Sequence, residues 1–347
     1  MKNDNIKNIC RWVLLLLSII IFLSACYSEF RVDLMEIDSI SRPGNLKNGL
    51  ANTTIYFIKN FNDKSFVHIT EVDRTFSQTT ELHLEGNRVS LSPQLRYLIY
   101  DSSKHVGGEL RKGIWLHDLR TGKEKNVIVW PSKLDEVHLS HPSFSPDGEH
   151  LIFTVTWFDK DEIGLATIDL DGSNLEILDT DRHNGNTGPR YSPDGEKIVV
   201  ICGGMDVDSG QPGFQLCIMD KDGSNRELFT RDGDYHGTYR FTPDSQHIIY
   251  SESEYGSPFG ILLRPRYDIK IKNIEEVNPT TILAWDQPLS ILALSEDGGE
   301  IVCLESDKDG VPQRILVVNR EGTNLRHLAY FDEFLADWYA DNKKINH

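Results

Sequence analysis

The chain has 347 residues, of which 53 are acidic and 36 are Lys or Arg, so it carries a formal charge of −17 at neutral pH. A surface that acidic repels phosphate backbones and anionic headgroups, which excludes nucleic-acid binding as the expected role. The 5 cysteines show no CxxC and no Cys/His finger spacing, so neither a zinc ribbon nor a disulfide framework is indicated.

In chain order, Lys2, Lys7 and Arg11 precede an apolar stretch from Trp12 to Leu23 that only Ser18 interrupts. The stretch is too short for a comfortable membrane span and reads as a signal peptide, residues 1–25. It ends in Leu23-Ser24-Ala25-Cys26, which resembles the bacterial lipobox. That resemblance implies cleavage before Cys26 and acylation of its thiol, with two or more chains holding the protein at a membrane surface. Cleavage leaves 322 residues and moves the formal charge from −17 to −19. The expected address is extracytoplasmic, lipid-anchored to the cell membrane or outer membrane. Residues 26–50, with Pro43 and Gly44, read as a tether with room for one edge strand.

Residues 51–347 repeat one unit. Ser145-Pro146-Asp147-Gly148 recurs as Ser192-Pro193-Asp194-Gly195 and Thr242-Pro243-Asp244-Ser245, and more loosely at Ser92-Pro93 and Ser295-Glu296-Asp297-Gly298. The starts lie 53, 47, 50 and 53 residues apart. A unit of that size cannot bury its own apolar face, so the period predicts stacked β-sheets. Leu91, Phe144, Tyr191, Phe241 and Leu294 end an innermost strand, and Pro-Asp-Gly makes a tight turn. Leu151–Val155, Ile198–Ile201 and Ile248–Tyr250 follow as strands without polar alternation, as expected where both faces are covered. Asp171-Gly172-Ser173-Asn174 and Asp222-Gly223-Ser224-Asn225 superficially resemble calcium loops, but strands flank them and the EF-hand glutamate is missing, so they read as hairpin turns.

The C-terminal Trp338 to Ile345 matches the motif register once more and then the unit breaks off. Thr53–Lys59, Phe66–Val72 and Glu81–Leu84 offer three strands before the first full motif. The expected fold is therefore all-β: a six-bladed β-propeller closed by N-terminal strands pairing with a C-terminal strand, which removes exposed sheet edges.

These motifs resemble the WD40-like Pro-Asp repeats of the TolB family. The resemblance implies a six-bladed propeller over roughly residues 53 to 347, while the same blade serves translocation proteins, peptidase accessory domains and carbohydrate lyases. A Gly-x-Ser-x-Gly elbow, Walker A, dinucleotide fingerprint and HExxH are all missing from the sequence. Oligogalacturonate lyases, built on similar repeats, hold a metal at the channel with histidines and a glutamine. By that analogy His141, His183 and His236, ahead of three consecutive motifs, are candidate ligands for a metal at the channel mouth, although their offsets from the motif differ. No other cofactor is expected.

A second candidate site lies on the longer loops Asp101–Lys112, Gly203–Gly213 and Glu252–Arg266. There Asp206, Asp208, Tyr255, Phe259 and Arg264 could contact a ligand or partner. Cys202 and Cys217 fall on neighbouring strands. Their geometry allows a bridge, but two buried small apolar side chains are the favoured reading. The expected function is a protein-binding scaffold in the cell envelope, without catalytic residues. The alternative is a carbohydrate-binding or metal-dependent lyase-like lipoprotein.

Overall fold

A computed structural model describes residues 33–41, 53–61, 64–71, 79–84, 87–129, 137–181, 186–205, 212–230, 235–254, 266–295, 297–307 and 312–330, with backbone alone before Arg88. Every regular element among them is a β-strand. The first sheet holds β1 (Asp33–Ser41), β2 (Thr53–Phe61), β3 (Lys64–Glu71) and β4 (Thr79–Leu84). The second holds β5 (Asn87–Leu91), β6 (Tyr97–Val106), β7 (Glu109–Asp118) and β8 (Lys123–Val129). The third holds β9 (Val137–Phe144), β10 (His150–Trp157), β11 (Glu162–Asp169) and β12 (Glu176–Asp181), and the fourth β13 (Asn186–Tyr191), β14 (Lys197–Met205), β15 (Pro212–Asp220) and β16 (Glu227–Leu228). The fifth comprises β17 (Tyr235–Phe241), β18 (His247–Glu254), β19 (Arg266–Asn273) and β20 (Thr280–Trp285). The sixth comprises β21 (Leu289–Leu294), β22 (Glu300–Ser306), β23 (Pro312–Asn319) and β24 (Arg326–Tyr330). Each sheet is an antiparallel meander in chain order.

One described strand was not expected in the first sheet. The first sheet takes its leading strand from β1, inside the segment read as a tether, and β1 lies against both β5 and β21. Residues 338–345, expected to supply the closing strand, lie outside the described residues. β1 thus places a strand within residues 26–50.

The core lies between sheets. Leu151, Phe153 and Val155 of β10 pack with Ile99, Ile114 and Leu116 of the second sheet, while Ile152, one residue out of phase, packs with Ile198 and Val200 of the fourth. Both faces of the strand are thus dry, which is why its sequence does not alternate. The pattern recurs in β18, where Ile248 and Tyr250 join Ile218 and Phe229 on one side and Ile249 joins Ile291 and Ile301 on the other. Each fully buried side chain of this size contributes about 1.5–3 kcal/mol by removal from water.

The Pro-Asp turns explain their own sequence. The hydroxyls of Ser145, Ser192, Thr242 and Ser295 donate to the aspartate two residues on at 2.5–2.6 Å, and that carboxylate accepts the amide two residues further along. The hydroxyl bond is the leading cause holding Asp147, Asp194 and Asp297 below the usual carboxylate range. The hairpin-turn reading of Asp171 and Asp222 also holds. Each carboxylate accepts from the Ser two residues on, at 2.6 Å. Gly172, at φ 90°, is doubly required, since a Cβ there would sit 2.7 Å from the Val127 carbonyl oxygen of the preceding sheet.

Two further expectations change. Asp101–Lys112 is not a loop, because β6 and β7 continue to Val106 and Glu109 and are joined by Gly107-Gly108, both at positive φ, as a two-residue hairpin turn prefers. Cys202 and Cys217 are joined by a disulfide across the β14–β15 hairpin, with Cα atoms 5.7 Å apart, rather than standing as separate thiols. Their strands pair Cys202 with Gln215 and Val200 with Cys217, so the half-cystines sit diagonally on one face. Cys303 is a free, buried thiol.

Candidate functional site at the inner strands

The leading strand of each sheet carries a bulge a few residues before its turn. The register shifts between Asn87 and Val89, Ser140 and Ser143, Thr187 and Arg190, His236 and Tyr239, and Ile291 and Ala293. In the first three of these strands the residue four places before the motif serine is left-handed: Arg88 at φ 44°, His141 at φ 52° and Gly188 at φ 65°. A bulge with that conformation turns its side chain out of the ladder. Here it turns toward the adjoining sheet.

A belt of hydrogen bonds results. Arg88 Nη1 donates to His141 Nε2. His141 Nδ1 lies 3.2 Å from Thr187 Oγ1 and 3.1 Å from Ser140 Oγ. The Tyr239 hydroxyl donates to the Gly188 carbonyl, and the Ile291 amide donates to Thr238 Oγ1 at 2.7 Å. Successive inner strands from the second sheet to the sixth are therefore stitched at one level. A side chain at Gly188 would collide with the Tyr239 hydroxyl, 2.6 Å from where its Cβ would lie.

The tautomer of His141 follows from its partner. A guanidinium cannot accept, so Nε2 must present its lone pair and the ring proton resides on Nδ1, facing the two hydroxyls. Burial, then the charges of Arg88, Arg190 and His138, push the imidazole down to about 3, so it is neutral at physiological pH. His138 is lowered as well, first by burial and then by Lys112 and Arg88. Among the described residues, no carboxylate contributes to either shift.

Of the three histidines considered for a metal, only His141 has a described side chain. His236 lies on β17 opposite Glu252, without a described side chain, and His183 lies outside the described residues. Its Nε2 accepts from Arg88. Cys26, Asp206, Asp208, Tyr255, Phe259 and Arg264 also lie outside the described residues. Asp147, Glu149 and His150 place ligand atoms within 4.8 Å of one another, but all three are exposed and His150 Nδ1 is bonded to Asp169 at 2.7 Å. Arg88, Lys112 and Arg190 were missed by sequence reasoning. The signal for Arg88 was available, since it stands four residues before Ser92 just as His141 stands four before Ser145.

Residues 46–264 match the family model of the TolB beta propeller domain. The chain belongs to that family. Among solved structures, TolB from Acinetobacter baumannii superposes with a TM-score of 0.57 at 18% identity, covering 79% of this chain and 63% of the TolB chain. This protein thus spans less than two thirds of that TolB. An oligogalacturonate lyase in complex with manganese gives a TM-score of 0.59 at 16% identity, over 85% of this chain and 79% of the lyase. A puromycin hydrolase mutant gives 0.57 at 11% identity, over 85% of this chain but 45% of the hydrolase. At such identities the likeness is one of fold, and the TolB propeller fold accommodates enzymes and non-enzymes alike.

Proposed function

We propose that this TolB-family propeller is a six-bladed, closed ring, held outside the cytoplasm by lipid on Cys26, that acts as a protein-binding scaffold in the cell envelope. The observation that carries the scaffold reading is the engagement of His141. With its lone pair taken by Arg88, the inner wall offers guanidinium and hydroxyl donors, which recognise a partner, in place of an imidazole base, which would react with one. The contact of β1 with both β5 and β21 supports ring closure. The Cys202–Cys217 bridge supports an oxidising compartment, where such bonds persist.

Cross-linking in the native membrane, followed by affinity capture and mass spectrometry, tests this reading. A stoichiometric envelope protein is the expected result, and capture of the bait alone overturns the scaffold. A Cys26→Ser chain is expected to leave the membrane fraction; retention there would refute lipidation at that thiol.

A second reading, a metal-dependent oligosaccharide lyase, draws support from the fold shared with the manganese-bound oligogalacturonate lyase. It requires Arg88 to leave Nε2 before a metal can bind. Stoichiometric transition metal in the purified protein, together with an ultraviolet-absorbing product from uronic-acid polymers, would establish it in place of the scaffold.

A further inference from the structure

We infer that the outer cleft between the fourth and fifth sheets, lined by buried Phe229 and exposed Leu228 and Val277, docks a segment of the protein partner that presents apolar side chains between Lys or Arg residues. The inference rests on the scaffold reading above and names the chemistry of its contact. The cleft holds about 330 Å³, within the range of about 300–1,000 Å³ usual for ligand-sized clefts.

This cleft opens where a seal used between other sheets is missing. Nine residues after Asp118, Asp169 and Asn273 stand Val127, Leu178 and Ile282 on outer strands, and each carbonyl meets a turn glycine of the following sheet, Gly172, Gly223 and Gly322 in turn. A Cβ on any of these glycines would lie within 3.0 Å of that oxygen, so only glycine lets the turn close down. Counted the same way from Asp220, the fourth sheet presents Phe229, and the residue of the fifth-sheet turn that matches the glycines is Glu276. The match is structural, since the Glu276 amide returns to the Asn273 carbonyl as those of Gly172, Gly223 and Gly322 return to Asp169, Asp220 and Asn319. Glu276 carries a Cβ and does not share their positive φ. The Phe229 carbonyl accepts instead from Lys272 Nζ, which lies 4.3 Å from the Phe229 ring centroid. The outer strand β16 is also cut to 2 residues, where the other outer strands have 5 to 7.

The side chains at the opening select the occupant. Val277 is 66% exposed, the most of any large apolar side chain among the described residues, and Leu228 is 47% exposed. Both cations lining the cleft are engaged, Lys197 with Asp220 at 2.6 Å and Lys272 with the Phe229 carbonyl. Its carboxylates are not: Glu227, Glu275 and Glu276 are exposed and, among the described residues, meet no cation. The clefts between the second and third sheets and between the third and fourth differ on both counts. They are lined by no exposed large apolar side chain, and their aspartates, such as Asp147, Asp171 and Asp194, are bonded within their own turns. An apolar side chain entering beside Phe229 would cover Leu228 and Val277, and Lys or Arg on either flank would meet the three glutamates. The formal charge of −17 repels an acidic partner and steers a basic one toward the surface.

The test uses the full chain in non-ionic detergent at about 150 mM salt, where charges beyond about 8 Å are screened, and fluorescein-labelled Lys-Lys-Trp-Leu-Lys-Lys read by anisotropy. That peptide is expected to bind, and Lys-Lys-Ser-Gly-Lys-Lys and Glu-Glu-Trp-Leu-Glu-Glu are each expected to bind at least about tenfold more weakly. The double variant Leu228→Ser, Val277→Ser is expected to weaken binding by about tenfold or more, and the double variant Glu275→Lys, Glu276→Lys by a similar factor. Leu325→Ser, at an exposed apolar side chain of the sixth sheet, is expected to change it by less than about twofold. Val277→Ser alone serves as a milder variant should the doubles disturb folding, with an expected loss of about three- to fivefold. Equal binding by wild type and the cleft variants overturns the inference, as does equal binding of the peptide without its apolar pair, or no binding by wild type. Dimers in sedimentation that the Leu228→Ser, Val277→Ser chain no longer forms would overturn the partner segment in favour of a second copy of this chain. If the peptide fails while membrane cross-linking still captures an envelope protein, the cleft is wrong and the scaffold stands. If both fail, the scaffold falls with it.

Discussion

Arg88 and His141 are the same residue of two successive repeats, each four places before its motif serine and each left-handed, and the guanidinium of one donates to the imidazole of the other. A position that in the next repeat is glycine has here become an inter-sheet contact. It fixes the tautomer of His141 and places an exposed cation at the inner wall.

Removing the pair should be costly and non-additive. Arg88→Ala is expected to lower unfolding free energy by about 1.5–2 kcal/mol, the low end of the range for a hydrogen bond to a charged group. His141→Ala is expected to cost a similar amount. The double variant should fall short of the sum by about 1 kcal/mol in chemical denaturation, and full additivity would show that the bond contributes nothing.

The neutral histidine makes stability depend on pH. The unfolded chain takes up a proton at His141 near its ordinary value of 6.5, whereas the folded protein resists protonation until about 3. The unfolded state therefore binds more protons across that window, and stability falls as pH drops through it, by at most about 1.4 kcal/mol per pH unit for one group. His138, also lowered, acts in the same direction. His141→Asn keeps an acceptor for Arg88 and tolerates positive φ, so it should flatten the profile between pH 6.5 and 4. An unchanged slope would contradict the assignment.

The disulfide is expected to behave as a loop constraint. Cys202 and Cys217 are 15 residues apart, so their replacement by serine should lower stability by about 2–3 kcal/mol, with engineered losses at the low end of that range. Alkylation in denaturant should label these two only after reduction and Cys303 with or without it. Labelling of all three without reduction would show that the bridge does not form in the cell.

Glycine at the outer turn is required by geometry. Gly172→Ala meets both a φ of 90° and the Val127 carbonyl oxygen, so a loss of about 2 kcal/mol or more is expected in thermal or denaturant unfolding. Gly122→Ala, at φ 65° with nothing within 4 Å of the added Cβ, should cost only about 1 kcal/mol. Equal losses would mean that the contact between sheets is not tight.

Much of the architecture was legible in the residues because its causes are local. The Ser-Pro-Asp-Gly turn closes through bonds spanning two to five residues, and unbroken apolar runs such as Leu151–Val155 announce strands covered on both faces. Turn chemistry and strand period therefore determined the repeat, its boundaries and the sheet class. What only the tertiary structure decided involves residues about 50 positions apart or strands that choose among neighbours: Arg88 with His141, Tyr239 with Gly188, the Cys202–Cys217 bridge, and β1 as the leading strand of the first sheet. Local propensity carries no information about how one sheet is set against the next. That placement comes from the packing of two apolar faces and the bulges that bend the inner strands, and the candidate site lies where those sheets meet.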